Sequence, residues 1–340
     1  MALTACDLTI DPLPPPASTA LMAKTLSEYL DLLDERSNLI FPKAPRPKPI
    51  QATPAIKPLP DTKVVLWSVY GTLLAIDSGR LLHQHPQELR MQIALQKTIE
   101  EFKMWFSMSR KPGQPWVYML QQYNSIVEEL RMVSPVSKGD TPEIDSASVW
   151  AKLIERLQRN EYTWDESLYG GREALAAKVA YFFHAMLQGT EAFPGAAETL
   201  ARLPQAGIRQ GLLDDVQQFT LAQLVRAMRK QGGEGNLAAL FSPELSGLSY
   251  QLEVRKPSPS LYATVVARCA ARGFEPGQVL YLTNRLTDDL GMAKKVGFRT
   301  GLMVVDESCT ELSSADLKNP EYRPDRLLTD LRQVLDIVGA

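Results

Sequence analysis

The sequence contains few cysteines and few histidines, and this excludes several kinds of site. The three cysteines are Cys6, Cys269 and Cys309, and they form no CxxC pair and no metal-ligand spacing with the three histidines. A disulfide framework needs paired cysteines and a structural zinc site needs clustered ligands, so neither is expected. Sparse, unpaired cysteines are typical of a reducing compartment, and we therefore expect a cytoplasmic protein.

Long apolar runs and an excess of charge of one sign are also absent. No apolar stretch approaches the roughly 20 residues that a membrane-spanning helix requires, and the first residues lack the basic start and apolar segment of a signal peptide. The 340 residues include 37 Lys and Arg and 39 Asp and Glu, which gives a net charge of −2. This balance favours neither nucleic acid nor an acidic membrane as a partner.

Proline is concentrated in the first 60 residues, which contain eleven of the 24 prolines. That density interrupts regular structure on both sides of one window, about residues 23–37, where Leu26, Tyr29, Leu30 and Leu33 have helical spacing. We expect residues 1–60 to form a mostly extended arm whose single helix docks on the body or on a partner. The alternative is a disordered tail without a role.

From Thr62 onward, short apolar runs alternate with helical patterns, which predicts an α/β fold with a doubly wound parallel sheet. Each predicted strand is short and largely apolar, as expected for strands covered on both faces. The predicted strands are Val64–Trp67, Ile208–Leu213, Val279–Leu282 and Thr300–Val305, and the predicted helices are Gly195–Pro204, Val216–Lys230, Ser258–Arg272 and Asp288–Val296.

Residues 76–191 interrupt this alternation and are too long for a simple crossover. Their apolar residues recur at three- and four-residue spacing through 89–106, 117–132, 147–159 and 173–187, which predicts helices. We expect a helical cap domain inserted at 76–191, with an α/β core formed by 61–75 and 192–340.

Polar residues follow three of the predicted strands. In open parallel sheets, ligands bind beyond the carboxyl ends of the strands, at the point where the strand order switches. The candidate site is therefore Ser68–Thr72, Asp214–Asp215 and Asn284–Asp289, with Lys256 on a nearby loop.

Four segments in this order resemble the haloacid dehalogenase (HAD) superfamily of hydrolases. The first is the apolar run that ends in SVYGTLL, and the second is Phe193-Pro194-Gly195 followed by a helix and the strand that ends at Asp214. The third is the Lys256-Pro257 loop, which places Lys256 on the family's lysine, and the fourth is VLYLTNRLTDD with its following GMAKKVG helix. The resemblance covers about residues 62–338 and implies a HAD-like Rossmannoid core.

The resemblance also shows where this chain departs from the chemistry of the family. The family's attacking aspartate is replaced by Ser68, and serine attacks only when a base removes its proton. Tyr70 stands where the phosphatases have a second aspartate, and a phenol with a pKa near 10 is a poor acid or base at neutral pH. Thr72 and the backbone amides after Ser68 could still form an anion-receptive turn with Lys256, although an ion pair between Lys256 and Asp214 or Asp289 is an equal alternative.

The metal position is also altered. Asn284 replaces the first carboxylate of the fourth motif, which usually holds magnesium, while Asp289 is retained. Losing the charges at positions 68 and 284 leaves a degenerate metal site of Asn284 and Asp289, so we expect no cofactor. Magnesium belongs only to the alternative in which the remaining carboxylates still act.

Asp214 stands where the family has a serine or threonine, so the hydroxyl and the carboxylate have exchanged strands. One hypothesis is that Asp214 holds a metal with Asp289 and Asn284, or itself attacks. The other is that the site is no longer selected for chemistry and Asp214 is paired with Lys256.

The sequence therefore predicts a catalytically inactive HAD-like protein that binds a small anionic or phosphorylated ligand or a protein partner. The alternative is an active hydrolase, a magnesium-dependent phosphatase with displaced carboxylates. A dehalogenase is favoured by Tyr70 alone and is not expected, because its chemistry also needs the aspartate that is missing at position 68.

Overall fold

The computed structural model describes residues 23–48, 50–108, 113–133, 136–233, 235–307 and 316–340. The first 22 residues of the predicted arm, with Cys6, and the segment that contains Cys309 lie outside the described residues. Within the described ranges, no helix is both long enough and apolar enough to cross a membrane.

The described strands are short, and most of them are buried. They are β1 (Val64–Trp67), β2 (Leu74–Ala75), β3 (Thr141–Pro142), β4 (Glu191–Ala192), β5 (Arg209–Asp214), β6 (Gly247–Leu248), β7 (Val254–Arg255), β8 (Val279–Thr283), β9 (Arg299–Met303) and β10 (Arg326–Leu328).

The α-helices alternate with these strands, except between β2 and β4, where helices predominate. They are α1 (Leu26–Asp34), α2 (Glu88–Glu101), α3 (Pro115–Val133), α4 (Ser146–Gln158), α5 (Glu166–Tyr169), α6 (Arg172–Leu187), α7 (Ala196–Gln205), α8 (Thr220–Lys230), α9 (Leu237–Leu240), α10 (Ser249–Leu252), α11 (Pro259–Ala270), α12 (Gly291–Lys295) and α13 (Gln333–Val338). Short 3-10 turns lie at Asp77–Gly79, Met104–Met108, Pro243–Leu245, Pro276–Gln278 and Asp316–Lys318, and a π-helical turn covers Leu286–Leu290.

The main sheet has six parallel strands in the order β10-β9-β8-β1-β5-β6. This confirms the predicted doubly wound α/β fold. Each of the four predicted strands overlaps a strand of this sheet. The edge strands β6 and β10 were not predicted, because two or three residues are too few to show a periodic pattern.

Both faces of the sheet are covered by helices. In β1, Val65 and Trp67 join the apolar cluster formed with α7, α8 and α13, whereas Val64 and Leu66 join the cluster formed with α11 and α12. All four side chains are fully buried. This two-sided burial explains why the strand is apolar throughout and does not alternate with polar residues.

Helices α2 to α6 form a second apolar core around Trp150 and Phe183. The α2 helix ends at Glu101, earlier than the predicted 89–106 pattern, and a 3-10 turn carries the apolar pattern onward. The chain enters and leaves this helical insert through the antiparallel pair β2 and β4. The exact domain limits given above stay a prediction.

The described part of the arm packs on the body. The α1 helix begins at a capping box of Thr25 and Glu28, and it buries Tyr29, Leu30 and Leu33. Further along, Ala55 forms a bridge to Leu327 in β10.

Candidate functional site at the carboxyl edge of the sheet

Three strand ends meet at the centre of the carboxyl edge of the sheet. β1 lies between β5 and β8, so the strand order switches at β1. Ser68 follows β1, Asp214 ends β5 and Asn284 follows β8. The structure therefore brings the predicted segments together at the place where open parallel sheets bind ligands.

The turn after β1 is held by the carboxylate of Asp214. Its Oδ2 accepts hydrogen bonds from the backbone N–H groups of Val69, at 2.6 Å, and Tyr70, at 3.0 Å. Gly71 adopts a left-handed conformation, with a φ of 76°, and a Cβ there would overlap the side-chain amide of Asn284. The backbone amides after Ser68, which the sequence suggested for binding an anion, thus bind the carboxylate of Asp214.

Lys256 lies at the centre of the site, and its side chain is fully buried. Its Nζ lies 2.7 Å from Asp214 Oδ1 and 2.5 Å from Asp289 Oδ2. It also donates to Tyr281 Oη at 3.2 Å and to Ser68 Oγ at 3.4 Å. Both ion pairs that the sequence allowed for this lysine are therefore present together.

The second cation of the site is Arg285. Its Nη1 lies 3.1 Å from Asp215 Oδ2 and 3.8 Å from Asp289 Oδ1, and its Nη2 lies 3.0 Å from Asp288 Oδ2. Asp215 also accepts from the backbone N–H of Lys256, at 2.6 Å. We call Asp214, Asp215, Lys256, Arg285 and Asp289 the buried charge cluster.

Mutual attraction outweighs burial in this cluster. Burial alone would lower the pKa of Lys256, but Asp214 and Asp289 hold that pKa above the usual lysine value. Burial alone would raise the pKa of Asp289, but Lys256 and Arg285 hold that pKa below its usual value. Lys256 is therefore protonated and Asp289 ionised at neutral pH, and Lys256 has no lone pair with which to deprotonate Ser68.

The residues at the degenerate metal position, Asn284 and Asp289, do not fit a metal ion. Asp289 Oδ2 already binds Lys256, Thr283 Oγ1 at 2.6 Å and Tyr281 Oη at 3.1 Å. Asp289 Oδ1 has no hydrogen-bond partner, but the Arg285 guanidinium stands 3.8 Å away. Two cations already neutralise the carboxylates that a divalent ion would need, and in the described ranges no group of three His, Cys, Asp or Glu side chains is arranged to hold a metal.

Tyr70 and Thr72 do not bind the buried charge cluster through their hydroxyl groups. The Tyr70 hydroxyl bonds to Thr220 Oγ1 at 2.8 Å and donates to Gln223 Oε1 at 2.7 Å, both in α8. Burial raises its pKa above the usual tyrosine value, which makes it a still weaker acid. Thr72 Oγ1 is directed to Asn284 Oδ1 at 3.5 Å.

Sequence reasoning assigned no role to Arg285, Tyr281 or Thr283, although all three bind Asp289 or lie beside it. Tyr281 and Thr283 lie two positions apart in β8, so their side chains leave the same face of the strand. That spacing, with an arginine two positions beyond Thr283, was the sequence feature that could have identified these residues as neighbours of Asp289.

The helical insert contacts the carboxyl edge through the segment Asp140–Ser146. The backbone N–H of Ser146 donates to Gln217 Oε1 at 2.7 Å, and Gln217 Nε2 donates to the Ile144 carbonyl at 3.1 Å. His184 lies behind this contact, with Nε2 2.7 Å from Ser146 Oγ, and burial holds its pKa well below the usual histidine value. His184 is therefore neutral and packed inside the insert.

The other two histidines lie close to acidic side chains. His85 Nε2 lies 3.4 Å from Asp77 Oδ2, and His83 Nε2 lies 3.7 Å from Glu143 Oε1. Neither histidine joins the buried charge cluster.

No protein-family model and no curated protein matches this sequence. Solved structures of similar chain trace include a putative HAD hydrolase from Bacillus subtilis bound to magnesium, with 16% identity, a TM-score of 0.42, and coverage of 82% of this chain and 99% of that one. A 2-haloacid dehalogenase from Pseudomonas syringae pv. Tomato has 15% identity and a TM-score of 0.49, over 82% of this chain and 98% of that one. A predicted phosphoglycolate phosphatase from Haemophilus somnus has 13% identity and a TM-score of 0.41, over 81% and 97%. These structures are thus described as a HAD hydrolase, a haloacid dehalogenase and a phosphatase, but likeness at this level assigns no activity to the chain.

Proposed function

We propose that this chain is a HAD-like protein without hydrolytic turnover, in which a buried charge cluster occupies the place of the family's reaction centre. The observation that carries the proposal is the position of Lys256 Nζ, 2.7 Å from Asp214 and 2.5 Å from Asp289. All three side chains are at most 4% exposed. A carboxylate that is buried, paired and hydrogen-bonded is poorly placed to attack a substrate.

The same geometry argues against Asp214 as a displaced nucleophile. One oxygen accepts two backbone hydrogen bonds and the other pairs with Lys256, so attack would require breaking those contacts. Ser68 is fully buried, and the protonated Lys256 beside it supplies no base. We therefore propose that the protein acts by binding, either to a small anionic ligand or to a protein partner.

The test is an assay of the purified protein with p-nitrophenyl phosphate and magnesium. We expect no release of nitrophenol above the buffer blank and no phosphorylated side chain by mass spectrometry. Removing a catalytic nucleophile commonly lowers the rate by about 10⁶-fold, so an active wild type would lose its activity in Asp214→Ala. Asp288→Ala is the control, because Asp288 is an aspartate of the fourth segment whose side chain is 45% exposed.

The alternative, a magnesium-dependent phosphatase with displaced carboxylates, predicts a different pattern. Turnover in the wild type that Asp214→Ala abolishes and Asp288→Ala preserves would refute the proposal. Ser68→Asp gives a further comparison, since it restores the family's carboxylate. We expect Ser68→Asp to stay inactive, because Lys256 and Arg285 already neutralise the carboxylates that would bind magnesium. Magnesium-dependent activity in Ser68→Asp would instead identify the wild type as a blocked enzyme with an intact site.

A further inference from the structure

A cavity of about 490 Å³ lies between the arm and the helices α6 and α8. Residues 41–44 and 46 of the arm form one wall, and Tyr181, Arg226 and Lys230 lie on the opposite side. Its volume falls within the roughly 300–1,000 Å³ of small-molecule sites. We call it the arm cavity.

The side chains that line the arm cavity are strongly basic. Four basic residues, Lys43, Arg46, Arg226 and Lys230, line it with one acidic residue, Glu191. Arg226 pairs with Asp34 of α1. Lys43, Arg46 and Lys230 form no ion pair with any residue in the described ranges. In a protein with a net charge of −2, this is a local concentration of uncompensated positive charge.

The walls of the arm cavity are fixed by specific contacts. Gly189 lies directly against the backbone of Pro42 and Lys43, and a Cβ at Gly189 would overlap those atoms. The Arg226 guanidinium donates to Tyr181 Oη at 2.7 Å and lies 5.5 Å from the centre of the Phe41 ring. The arm is thus held over α6 and α8 in one arrangement, which is the preorganisation that a binding site requires.

Part of the binding capacity of these groups is unused. Nε of Arg226 is buried without a hydrogen-bond partner. Partial burial and the neighbouring Arg226 lower the pKa of Lys230. An anion in the arm cavity would supply an acceptor and relieve the repulsion between these like charges.

We propose that the arm cavity binds a small anion with two or more negative charges, such as a phosphate ester or a polycarboxylate. Lys43, Arg46 and Lys230 supply the charge, and the rings of Phe41 and Tyr181 supply an apolar wall for an organic group. This inference goes beyond the proposed loss of turnover, because it places a ligand site away from the carboxyl edge and makes the arm a part of it.

The experiment is calorimetric titration of the full chain with pyrophosphate, citrate and acetate at constant ionic strength. We expect saturable binding of pyrophosphate, of citrate or of both, and none of acetate. The better of the two multiply charged anions identifies the chemical source of the ligand. We expect Lys230→Gln and Lys43→Gln each to weaken that binding about tenfold, which corresponds to about 1.4 kcal/mol.

Lys63→Gln is the matched control, because Lys63 is an exposed lysine outside the cavity without an ion-pair partner among the described residues. It should bind as the wild type does. The proposal is overturned if neither multiply charged anion binds, if acetate binds equally well, or if Lys63→Gln weakens binding as much as Lys230→Gln. None of these outcomes bears on turnover, so this proposal and the loss of activity fail separately.

Discussion

At the scale of single residues, the position of one ammonium group determines the character of the carboxyl edge. Lys256 stands between Asp214 and Asp289, and Arg285 stands between Asp215 and Asp288. Buried ion pairs contribute little net stability, but removing one partner leaves a charge without compensation in a low-dielectric site. The cluster should therefore be sensitive to the loss of any one of its charges.

Lys256→Met should lower the free energy of unfolding by about 3–5 kcal/mol, because Asp214 and Asp289 lose their shared cation. Urea denaturation measures this change. Lys63→Met is the control, and as an exposed site it should lie within about 0.5 kcal/mol of wild type. If Lys256→Met lowers the free energy of unfolding as little as the control does, the proposed role of Lys256 is contradicted.

The stability difference between Lys256→Met and wild type should also depend on pH. The folded-state pKa of Asp289 is lowered in the wild type. Its contribution to the free energy of unfolding is therefore complete above the ordinary pKa of about 3.9, and it is lost as the pH falls through the folded-state pKa. In Lys256→Met, Asp289 stays buried without the ammonium group, which favours its protonated form, so protonation restores stability. The deficit of Lys256→Met relative to wild type should therefore shrink as the pH falls from 7 toward about 4. Urea midpoints across that range test it, and a deficit that grows on acidification would show that the acids are not paired with Lys256.

At the scale of secondary-structure elements, α1 joins the arm to both parts of the fold. Tyr29 packs against Phe102 and Tyr169 of the helical insert. On its polar side, Asp34 pairs with Arg226 of α8. The helix has nine residues, too short for independent stability in water, so these contacts must hold it in place.

The sequence predicted the helix but left open whether it docks on the body or on a partner. Its described residues dock on the body.

Leu33→Ala should lower the free energy of opening of α1 by about 2–5 kcal/mol, because Leu33 is 1% exposed and its truncation leaves a cavity. Hydrogen exchange of residues 26–34 measures this opening. Leu89→Ala is the control, since Leu89 is 64% exposed on α2.

Tyr29→Phe separates packing from hydrogen bonding in the same helix. The Tyr29 hydroxyl is buried without a hydrogen-bond partner, so removing it should not speed exchange in α1. Faster exchange in Tyr29→Phe than in wild type would show that the hydroxyl is bonded after all.

At the scale of the whole molecule, the helical insert and the sheet are joined by hydrogen bonds as well as by the two connecting strands. β3 pairs with β7, and Gln217 bonds to Ser146 and Ile144. The Thr141 N–H also donates to Ser258 Oγ at 2.8 Å. Gln217 and Ser258 each lie two positions beyond a member of the buried charge cluster, Asp215 and Lys256.

Gln217→Ala should lower the free energy of unfolding by about 1–3 kcal/mol, because the buried Ser146 N–H loses its acceptor. It should also speed hydrogen exchange across residues 141–146. Gln218→Ala is the control, since Gln218 is the exposed neighbour in the chain. Equal exchange rates in the two variants would mean that the insert moves independently of the sheet.

The sequence by itself determined the layer structure of this protein. Four apolar runs predicted four strands of the parallel sheet, and β1 matches its predicted limits residue for residue. Helical spacing likewise predicted α3, α4 and α6 of the insert to within about two residues at each end. These features follow from local periodicity, because burial on one face or on two leaves a repeat in the sequence. The predicted helix Asp288–Val296 differs from the structure at its start, because a π-helical turn at Leu286–Leu290 precedes α12.

Only the tertiary structure decided which charges meet. Ser68 and Lys256 lie 188 positions apart, and nothing local could show whether Lys256 faces Asp214, Asp289 or both. Long-range packing also places Arg285 among the aspartates and pairs the backbone amides after Ser68 with Asp214. It likewise brings together the basic side chains that line the arm cavity. Ion pairing depends on the distance and burial that the packed strands create, and these are properties of the folded chain that no sequence period records.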